Sequence, residues 1–172
     1  MITITKSINL LGIDYESVVD GIGVRTVLFF AGCSHNCQGC HNPESHDFKA
    51  GKVFDEDIAN EIFSYIEEAP YIKGITLSGG DCFFNPIPII YFVEAFKERF
   101  PDKDIWAYTG FNLEEILLND NRRKLFELCD VLVDGRFIQE EKGFNLKFKG
   151  SNNQRIIDVK QTINAGKVVL YK

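Results

Sequence analysis

Residues 24–40 read Val24-Arg-Thr-Val-Leu-Phe-Phe-Ala-Gly-Cys33-Ser-His-Asn-Cys37-Gln-Gly-Cys40. The first part of this stretch, 24–31, is rich in β-branched and aromatic residues, which predicts a buried strand that ends at Gly32. Three cysteines with the spacing C-x3-C-x2-C follow at once. A strand that leads directly into a loop of metal-ligating residues indicates a functional site at the end of that strand.

The three cysteines are compatible with two kinds of metal site. Three thiolates can hold three irons of a 4Fe-4S cluster, whereas a closed site uses four cysteines. The fourth iron would then be free to bind and reduce a small molecule. A zinc site is the alternative, because His35, His41 or His46 could complete a tetrahedral set. A disulfide framework is not favoured, since the chain has an odd number of cysteines, five, and 172 residues with which to build a core.

Length and composition favour one domain that spans residues 1–172. The apolar fraction of 45% and the charged fraction of 26% are near the globular average. No stretch approaches the roughly 18 apolar residues that a transmembrane helix needs. The first residues, Met1-Ile-Thr-Ile-Thr-Lys6, lack the basic region and apolar run of a signal peptide. We therefore expect a cytoplasmic protein, in which thiols stay reduced.

Charge is unevenly distributed along the chain. The net charge is −6, yet residues 142–172 hold seven basic side chains and one acidic side chain, Asp158. This basic segment is either a solvated face or a surface that steers an acidic electron donor or partner towards the site.

Helical and strand patterns alternate through the rest of the chain. Apolar spacing predicts helices over 55–69, 86–100 and 112–129, the last with a break near 119–121. Short apolar runs predict strands over 74–78, 104–109 and 130–134, with a candidate last strand at 168–171. We expect Asp55 to cap the first of these helices.

This alternation predicts an α/β fold built from parallel βα units. There are too few units for a closed eight-stranded barrel of about 250 residues, so we expect a partial, open βα barrel. Ligands of such folds bind at the carboxyl ends of the strands. The cysteine loop, residues 33–40, follows one such end, and the segments after the next strands are Ser78-Gly-Gly-Asp81, Tyr108-Thr-Gly110 and Val133-Asp-Gly-Arg136. This placement favours a cluster that takes part in chemistry over a zinc staple.

The ordered set of motifs resembles the radical S-adenosylmethionine (AdoMet) superfamily. The cysteine triplet follows one strand and Ser78-Gly-Gly-Asp81 follows the next. The stretch Asp20-Gly-Ile-Gly-Val-Arg-Thr-Val-Leu-Phe-Phe-Ala-Gly-Cys33 resembles the glycyl-radical-enzyme activases within that superfamily. The resemblance extends over about residues 20–158, most of the chain.

Four further features are similar to the subgroup of activases that serve anaerobic ribonucleoside-triphosphate reductase. They are Gly39, Asn42, Val133-Asp-Gly-Arg-Phe137 and Lys149-Gly-Ser-Asn-Asn-Gln-Arg155. The resemblance implies that the partner is the large glycyl-radical subunit of that reductase, with an electron donor such as flavodoxin or ferredoxin. It implies neither a nucleic-acid partner nor a membrane partner.

The resemblance also implies the cofactors and the reaction. Cys33, Cys37 and Cys40 would ligate a 4Fe-4S cluster in a partial barrel of the radical AdoMet type. The open iron would bind AdoMet, and one electron would cleave AdoMet to methionine and a 5′-deoxyadenosyl radical. This radical would remove a hydrogen atom from a glycine Cα of the partner. The cofactors would thus carry out the difficult step while the protein orients them.

Two groups of residues are the predicted contacts of AdoMet. Gly79 and Gly80 would allow the backbone to approach the methionine moiety closely. Asp81 would accept a hydrogen bond from the AdoMet ammonium or cap the next helix. The backbone around Cys40, with its neighbours Gly39 and His41, would approach the adenine.

We expect particular positions or contacts for several other residues. Arg25 would be brought towards the mouth of the site by the turn at 20–23, where it would meet the glycine loop of the partner or pair with an acid. Thr109 and Asp134 are further candidate contacts of AdoMet. Histidines 35 and 46 are expected to be loop residues, and cysteines 82 and 129 are expected to be buried side chains.

Three alternative functions stay open on the sequence alone. The chain could activate another glycyl-radical enzyme, such as pyruvate formate-lyase. It could be a small radical AdoMet enzyme of deazapurine synthesis. It could also be a zinc or iron–sulfur binding module without catalysis.

Overall fold

The computed structural model describes residues 8–172, which form an open, seven-stranded mixed sheet of order β3-β1-β2-β4-β5-β6-β7. The strands are β1 Asn9–Ser17, β2 Arg25–Phe30, β3 Lys52–Val53, β4 Gly74–Gly79, β5 Asp104–Tyr108, β6 Val131–Asp134 and β7 Arg155–Asp158. The helices are α1 Glu56–Glu68, α2 Pro86–Arg99, α3 Leu113–Ile116, α4 Asp120–Leu128 and α5 Val159–Ala165. None of the helices in this part of the chain is long and apolar enough to cross a membrane.

Four neighbouring strands, β2, β4, β5 and β6, are parallel. A helical connection joins each of them to the next, through α1, then α2, then α3 and α4. Parallel neighbours need such crossovers because their ends lie at opposite edges of the sheet. The predicted βα units are therefore confirmed. Antiparallel strands complete the sheet on both sides, with β1 and β3 beyond β2 and β7 beyond β6.

Local sequence signals place the helices where we expected them. The Asp55 carboxylate accepts a hydrogen bond from the Ile58 backbone N–H at 3.0 Å and so caps α1. The predicted break near 119–121 is the junction of α3 and α4. Asn119 caps α4 by accepting from the backbone N–H of Arg122 at 3.0 Å.

The antiparallel elements and the last helix were not predicted. β1 carries register irregularities at Leu10/Gly12 and Asp14/Ser17, which disrupt the alternating pattern that would identify a strand. β7 is only four residues long and has a charged residue at each end. The candidate strand at 168–171 is reduced to a single bridge between Ile157 and Leu170.

The two faces of the parallel strands have different environments. Residues such as Leu28, Ile75 and Leu132 point into the main core, where they pack with the helices. The alternate residues Phe29 and Tyr108 point to the opposite face, because successive side chains of a strand alternate. That face holds a cavity and a small apolar cluster around Trp106, Val131 and Val133.

Arg25 lies at the amino ends of the parallel strands, at the edge opposite the cysteine loop. The expectation that it reaches the mouth of the site is therefore wrong, whereas its pairing with an acid is confirmed. The guanidinium is fully buried and its Nη1 lies 2.6 Å from Asp104 Oδ1. It also donates to Thr76 Oγ1 at 2.9 Å and to the Ile75 carbonyl at 2.7 Å. Arg25 therefore ties β2, β4 and β5 together from within.

Replacement of Arg25 should destabilise the fold. Arg25→Met removes the hydrogen bonds to β4 and leaves the Asp104 carboxylate without its partner, which should lower the free energy of unfolding by about 3 kcal/mol. Urea denaturation followed by circular dichroism measures this. Arg99→Met is the matched control, because Arg99 forms an exposed ion pair with Glu67, and it should leave stability almost unchanged. Equal stability of the two variants would contradict the structural role of Arg25.

Candidate functional site

A cavity of about 410 Å³ lies at the carboxyl ends of the parallel strands. The cysteine loop after β2, residues 78–80 at the end of β4, and residues 108–110 at the end of β5 all contribute to its wall. Gly135 and Phe137 contribute after β6, and residues between 146 and 154 close another side. The segments that we expected at one edge of the sheet thus meet around a single cavity.

Cys33, Cys37 and Cys40 line this cavity, and all three are free and half-buried. Burial raises the pKa of the Cys33 thiol to about 11, and the nearby Asp81 carboxylate and the other two cysteines act in the same direction. Cys33 is therefore a neutral thiol near pH 7 in the metal-free protein, and binding of iron would release its proton.

The arrangement of the three thiols around one cavity is compatible with a 4Fe-4S cluster. A single zinc requires all of its ligands at about 2.0–2.3 Å from one point. A 4Fe-4S cluster binds each cysteine to a different iron, so its ligands need only surround a common space. Three thiols around one cavity meet that requirement.

A tight turn brings Cys37 and Cys40 to the same cavity. The Cys40 N–H donates to the Cys37 carbonyl at 3.2 Å, and Gly39 at the third position of this turn has a φ of 72°. This conformation favours glycine. A Cβ on Gly39 would also lie 1.8 Å from Gln139 Oε1. Gly39 is not part of the cavity wall, so a contact of its backbone with AdoMet stays a prediction.

Gly79 and Gly80 line the cavity, and each is also required by the protein's own backbone. Gly79 has a φ of 98°, and a Cβ there would lie 2.4 Å from the Phe30 backbone nitrogen. A Cβ on Gly80 would lie 2.8 Å from the Gly32 carbonyl oxygen. The glycine pair therefore allows the end of β4 to lie directly against β2 and the start of the cysteine loop.

The Asp81 carboxylate is buried and accepts four hydrogen bonds. Its Oδ1 accepts from the Phe83 N–H at 3.0 Å, which caps the short 3₁₀ turn Cys82–Phe84. Its Oδ2 accepts from Thr109 Oγ1 at 2.8 Å, from the Gly110 N–H at 2.9 Å and from His35 Nε2 at 3.0 Å. Asp81 thus caps the 3₁₀ turn that precedes α2, whereas the N-cap position of α2 itself is Asn85. Asp81 does not line the cysteine cavity, and its contact with AdoMet stays a prediction.

All three histidines line the cavity, but the contacts of their rings differ. The His41 ring lies edge-on to Phe137 at 5.4 Å, and His46 Nε2 is buried without a hydrogen-bond partner among the described residues. His35 is a loop residue, as expected, but its side chain is only 3% exposed. Its inward orientation was not predicted, because nothing in the spacing of the cysteines shows which neighbour points inward.

Two polar residues and two cysteines remain from the sequence predictions. Thr109 lines the cavity, but its hydroxyl donates to Asp81. Asp134 accepts from the Leu113 N–H at 2.8 Å and from Arg155 Nε at 3.0 Å, and it is not part of the cavity wall. The buried positions of Cys82 and Cys129 are confirmed.

Comparison with known proteins first defines the class. Residues 19–157 match the family described as a 4Fe-4S single cluster domain. This match covers the cysteine loop and all the strand ends that surround the cavity. The chain thus belongs to the class of single-cluster iron–sulfur domains, which the placement of the cysteine loop at a strand end favoured over a zinc site.

Whole-chain relatives then identify the family. The chain is 41% identical over 142 residues to the anaerobic ribonucleoside-triphosphate reductase-activating protein of Haemophilus influenzae, which covers 81% of this chain and 90% of that protein. Proteins of the same name from Escherichia coli (strain K12) and Enterobacteria phage T4 are 36% identical over 140 residues and 37% identical over 142 residues. These two alignments cover 80% of this chain and 90% and 86% of the respective relatives. The chain belongs to the family of anaerobic ribonucleoside-triphosphate reductase-activating proteins, which confirms the resemblance seen in the sequence.

The structural need for Gly79 leads to a testable consequence. Gly79→Ala should lower the free energy of unfolding of the metal-free protein by about 2 kcal/mol, because alanine is strained at this φ and its Cβ meets the β2 backbone. Thermal unfolding of metal-free protein measures the effect. Gly12→Ala is the control, since nothing lies within 4 Å of a Cβ at that position. If Gly79 served only to admit a ligand, metal-free Gly79→Ala would unfold like the wild type.

Proposed function

We propose that this protein activates an anaerobic ribonucleotide reductase by generating a glycyl radical on its large subunit, through reductive cleavage of AdoMet at a 4Fe-4S cluster. The observation that carries the proposal is the common cavity. This cavity is lined by three cysteines, one fewer than a closed cluster site uses. It is also lined by the glycine-rich end of β4, at the carboxyl edge of the parallel strands. The relatives are named as activating proteins of anaerobic ribonucleoside-triphosphate reductase, and these names indicate the reductase as the target. In this proposal the open sheet, within a single domain of residues 1–172, is the partial barrel of the radical AdoMet type.

The cysteine loop would hold the cluster through Cys33, Cys37 and Cys40. When bound, the cluster supplies the electron that cleaves AdoMet, and the iron without a cysteine ligand supplies the binding site for it. The role of the protein is to keep that iron accessible to AdoMet but shielded from bulk water. All three cysteines line the cavity and are half-buried, which supports this role.

The cavity wall indicates which residues would contact AdoMet. Gly79 and Gly80 expose backbone to the cavity without side chains, which suits a close approach of the methionine moiety. Cys40 and His41 line the same cavity and would contact the adenine, with Gly39 behind them in the turn. Asp81 would hold this part of the cavity wall in place, because its carboxylate accepts hydrogen bonds from the Thr109 hydroxyl and the Gly110 N–H.

The cavity is accessible from outside, as a protein substrate requires. Val19 lines the cavity yet is 71% exposed, and the neighbouring Val18 is 65% exposed. Exposed apolar side chains beside a cavity are typical of a docking site for another protein. They support a glycine-bearing segment of the reductase as the substrate.

Reduction of the cluster would come from an acidic one-electron donor, flavodoxin or ferredoxin, in the cytoplasm. The basic segment 142–172 supports this part of the proposal. Lys149 contributes to the cavity wall, and Lys142 and Lys147 are exposed nearby in sequence. Positive charge beside the cavity would steer an acidic donor to the cluster.

The site assignment predicts that Cys37→Ala abolishes AdoMet cleavage, because two cysteines cannot hold the cluster in the cavity. Reconstituted, dithionite-reduced protein is mixed with AdoMet, and 5′-deoxyadenosine is measured by chromatography. Circular dichroism should show that the fold is retained. Cys129→Ala is the matched control, since Cys129 is buried away from the cavity and should keep full cleavage. Cleavage by Cys37→Ala at the wild-type rate would refute the assignment.

The experiment that tests the proposed function compares protein targets. The reduced protein and AdoMet are mixed anaerobically with the large subunit of an anaerobic ribonucleotide reductase or with pyruvate formate-lyase. A glycyl radical signal in electron paramagnetic resonance (EPR) is expected on the reductase alone. A signal only on pyruvate formate-lyase would assign the protein to the other activases. A colourless, zinc-loaded protein without cleavage would show a non-catalytic module.

The steering role of the basic segment has its own test. Lys142→Glu combined with Lys147→Glu should slow reduction of the cluster by reduced flavodoxin several-fold at low salt, and added salt should remove the difference. Stopped-flow absorbance measures the rate. Lys52→Glu combined with Lys73→Glu makes the same change of charge on exposed lysines elsewhere and should have a smaller effect. Equal rates for the two variants would exclude steering by this segment.

A further inference from the structure

His35 lies between the first two cluster cysteines, and its side chain points away from solvent into the protein. The imidazole ring packs against Phe84, with ring centroids 4.9 Å apart, and against Phe111 at 4.6 Å. Phe84 follows β4 and Phe111 follows β5. One side chain of the cysteine loop is thus inserted between the ends of two strands.

The polar end of this ring meets a buried carboxylate. His35 Nε2 lies 3.0 Å from Asp81 Oδ2, and the two side chains are only 3% and 1% exposed. Asp81 Oδ2 already accepts hydrogen bonds from Thr109 Oγ1 and the Gly110 N–H, so His35 Nε2 is assigned as the donor in this pair. Asp81 also holds the cysteine loop through its backbone, because its N–H donates to the Gly32 carbonyl at 3.0 Å.

The surroundings of the ring leave little freedom for it to move. A Cβ on Gly110 would lie 2.3 Å from His35 Cδ2, so only glycine at that position leaves room for the ring. Phe111 is also covered by the Arg122 guanidinium, 3.9 Å from the ring centroid, and Arg122 Nε donates to the Phe83 carbonyl at 2.9 Å. His35 lines the cavity, yet its ring is held by packed side chains and is almost fully shielded from solvent.

From this geometry we infer that His35 is a positioning residue, which fixes the loop between Cys33 and Cys37 to the ends of β4 and β5 before iron binds. The His35–Asp81 hydrogen bond sets where two of the three thiols lie relative to Gly79 and Gly80. A loop that is already ordered loses less conformational entropy when the cluster forms. The inference rests on the cluster of the proposed function, but it requires no activity towards a reductase.

Three substitutions separate the hydrogen bond from the packing. His35→Phe keeps an aromatic ring between Phe84 and Phe111 and removes the donor. His35→Gln removes the ring and places an amide donor near the position of Nε2. Asp81→Asn keeps the shape of the acceptor and removes its charge. The proteins are reconstituted anaerobically with iron and sulfide, and release of iron to a chelator is followed by absorbance.

His35→Phe should release iron about tenfold faster than the wild type, the size of effect typical for groups that orient metal ligands. EPR of the reduced cluster should show a broadened or shifted spectrum, since the thiols are less well fixed. His35→Gln should restore a substantial part of the retention. The effects of His35→Phe and Asp81→Asn should not add in the double variant, because both substitutions act on the His35–Asp81 hydrogen bond.

A stability control completes the test. Ile66→Val removes one methyl group from the buried core beneath α1, away from the cavity, and should lower the melting temperature without a change in iron release. The inference is overturned if His35→Phe retains iron like the wild type with an unchanged EPR spectrum, or if the effects of His35→Phe and Asp81→Asn add. It is also overturned if Ile66→Val accelerates iron release as much as His35→Phe. None of these readouts depends on the reductase, so failure here is distinguishable from failure of the proposed function.

Discussion

The close approach of two backbones at the carboxyl edge of the sheet is the constraint on which the site depends. The end of β4 lies so near β2 that a Cβ on Gly79 would be 2.4 Å from the Phe30 nitrogen. The chain can therefore pass from β4 to Asp81 directly beside Gly32, where the cysteine loop begins. A side chain at either glycine would separate the thiols from the glycine-rich strand end, and the cavity would lose one of its walls. The glycine pair thus has a structural function before any cofactor is present.

The fold separates stability from chemistry by using the two faces of one sheet. The helices and the buried phenylalanines pack on one face, where they form the main core. The other face is left for the cavity, a small apolar cluster and the buried Arg25. Because Arg25 ties the amino ends of three parallel strands together, the carboxyl ends can carry glycines and loops without loss of the sheet. A radical reaction benefits from such a scaffold, since a reactive intermediate must be held away from solvent.

Much of this arrangement could be predicted from the sequence, and the exceptions have physical causes. The parallel strands and their helices follow from apolar periodicity and from caps such as Asp55, and these are local signals. β1 was not predicted because its register irregularities break the alternating pattern of a strand. The position of Arg25 was predicted wrongly because the sequence of a turn does not show which edge of the sheet the turn approaches. The inward orientation of His35 depends on Asp81 and Phe111, which are 46 and 76 positions away in the sequence. No local sequence pattern therefore predicts this orientation. The gathering of the three cysteines at the cavity was predictable because the carboxyl ends of parallel strands share one edge.

In the proposed site, three cysteines would hold a four-iron cluster whose remaining iron is open to AdoMet. Mössbauer spectroscopy of protein reconstituted with ⁵⁷Fe, with and without AdoMet, distinguishes the iron sites of such a cluster. We expect one iron site in four whose isomer shift and quadrupole splitting change when AdoMet is added, while the other three sites keep the parameters of thiolate-bound iron. A spectrum that AdoMet leaves unchanged, or a protein that binds zinc in place of iron, would contradict it.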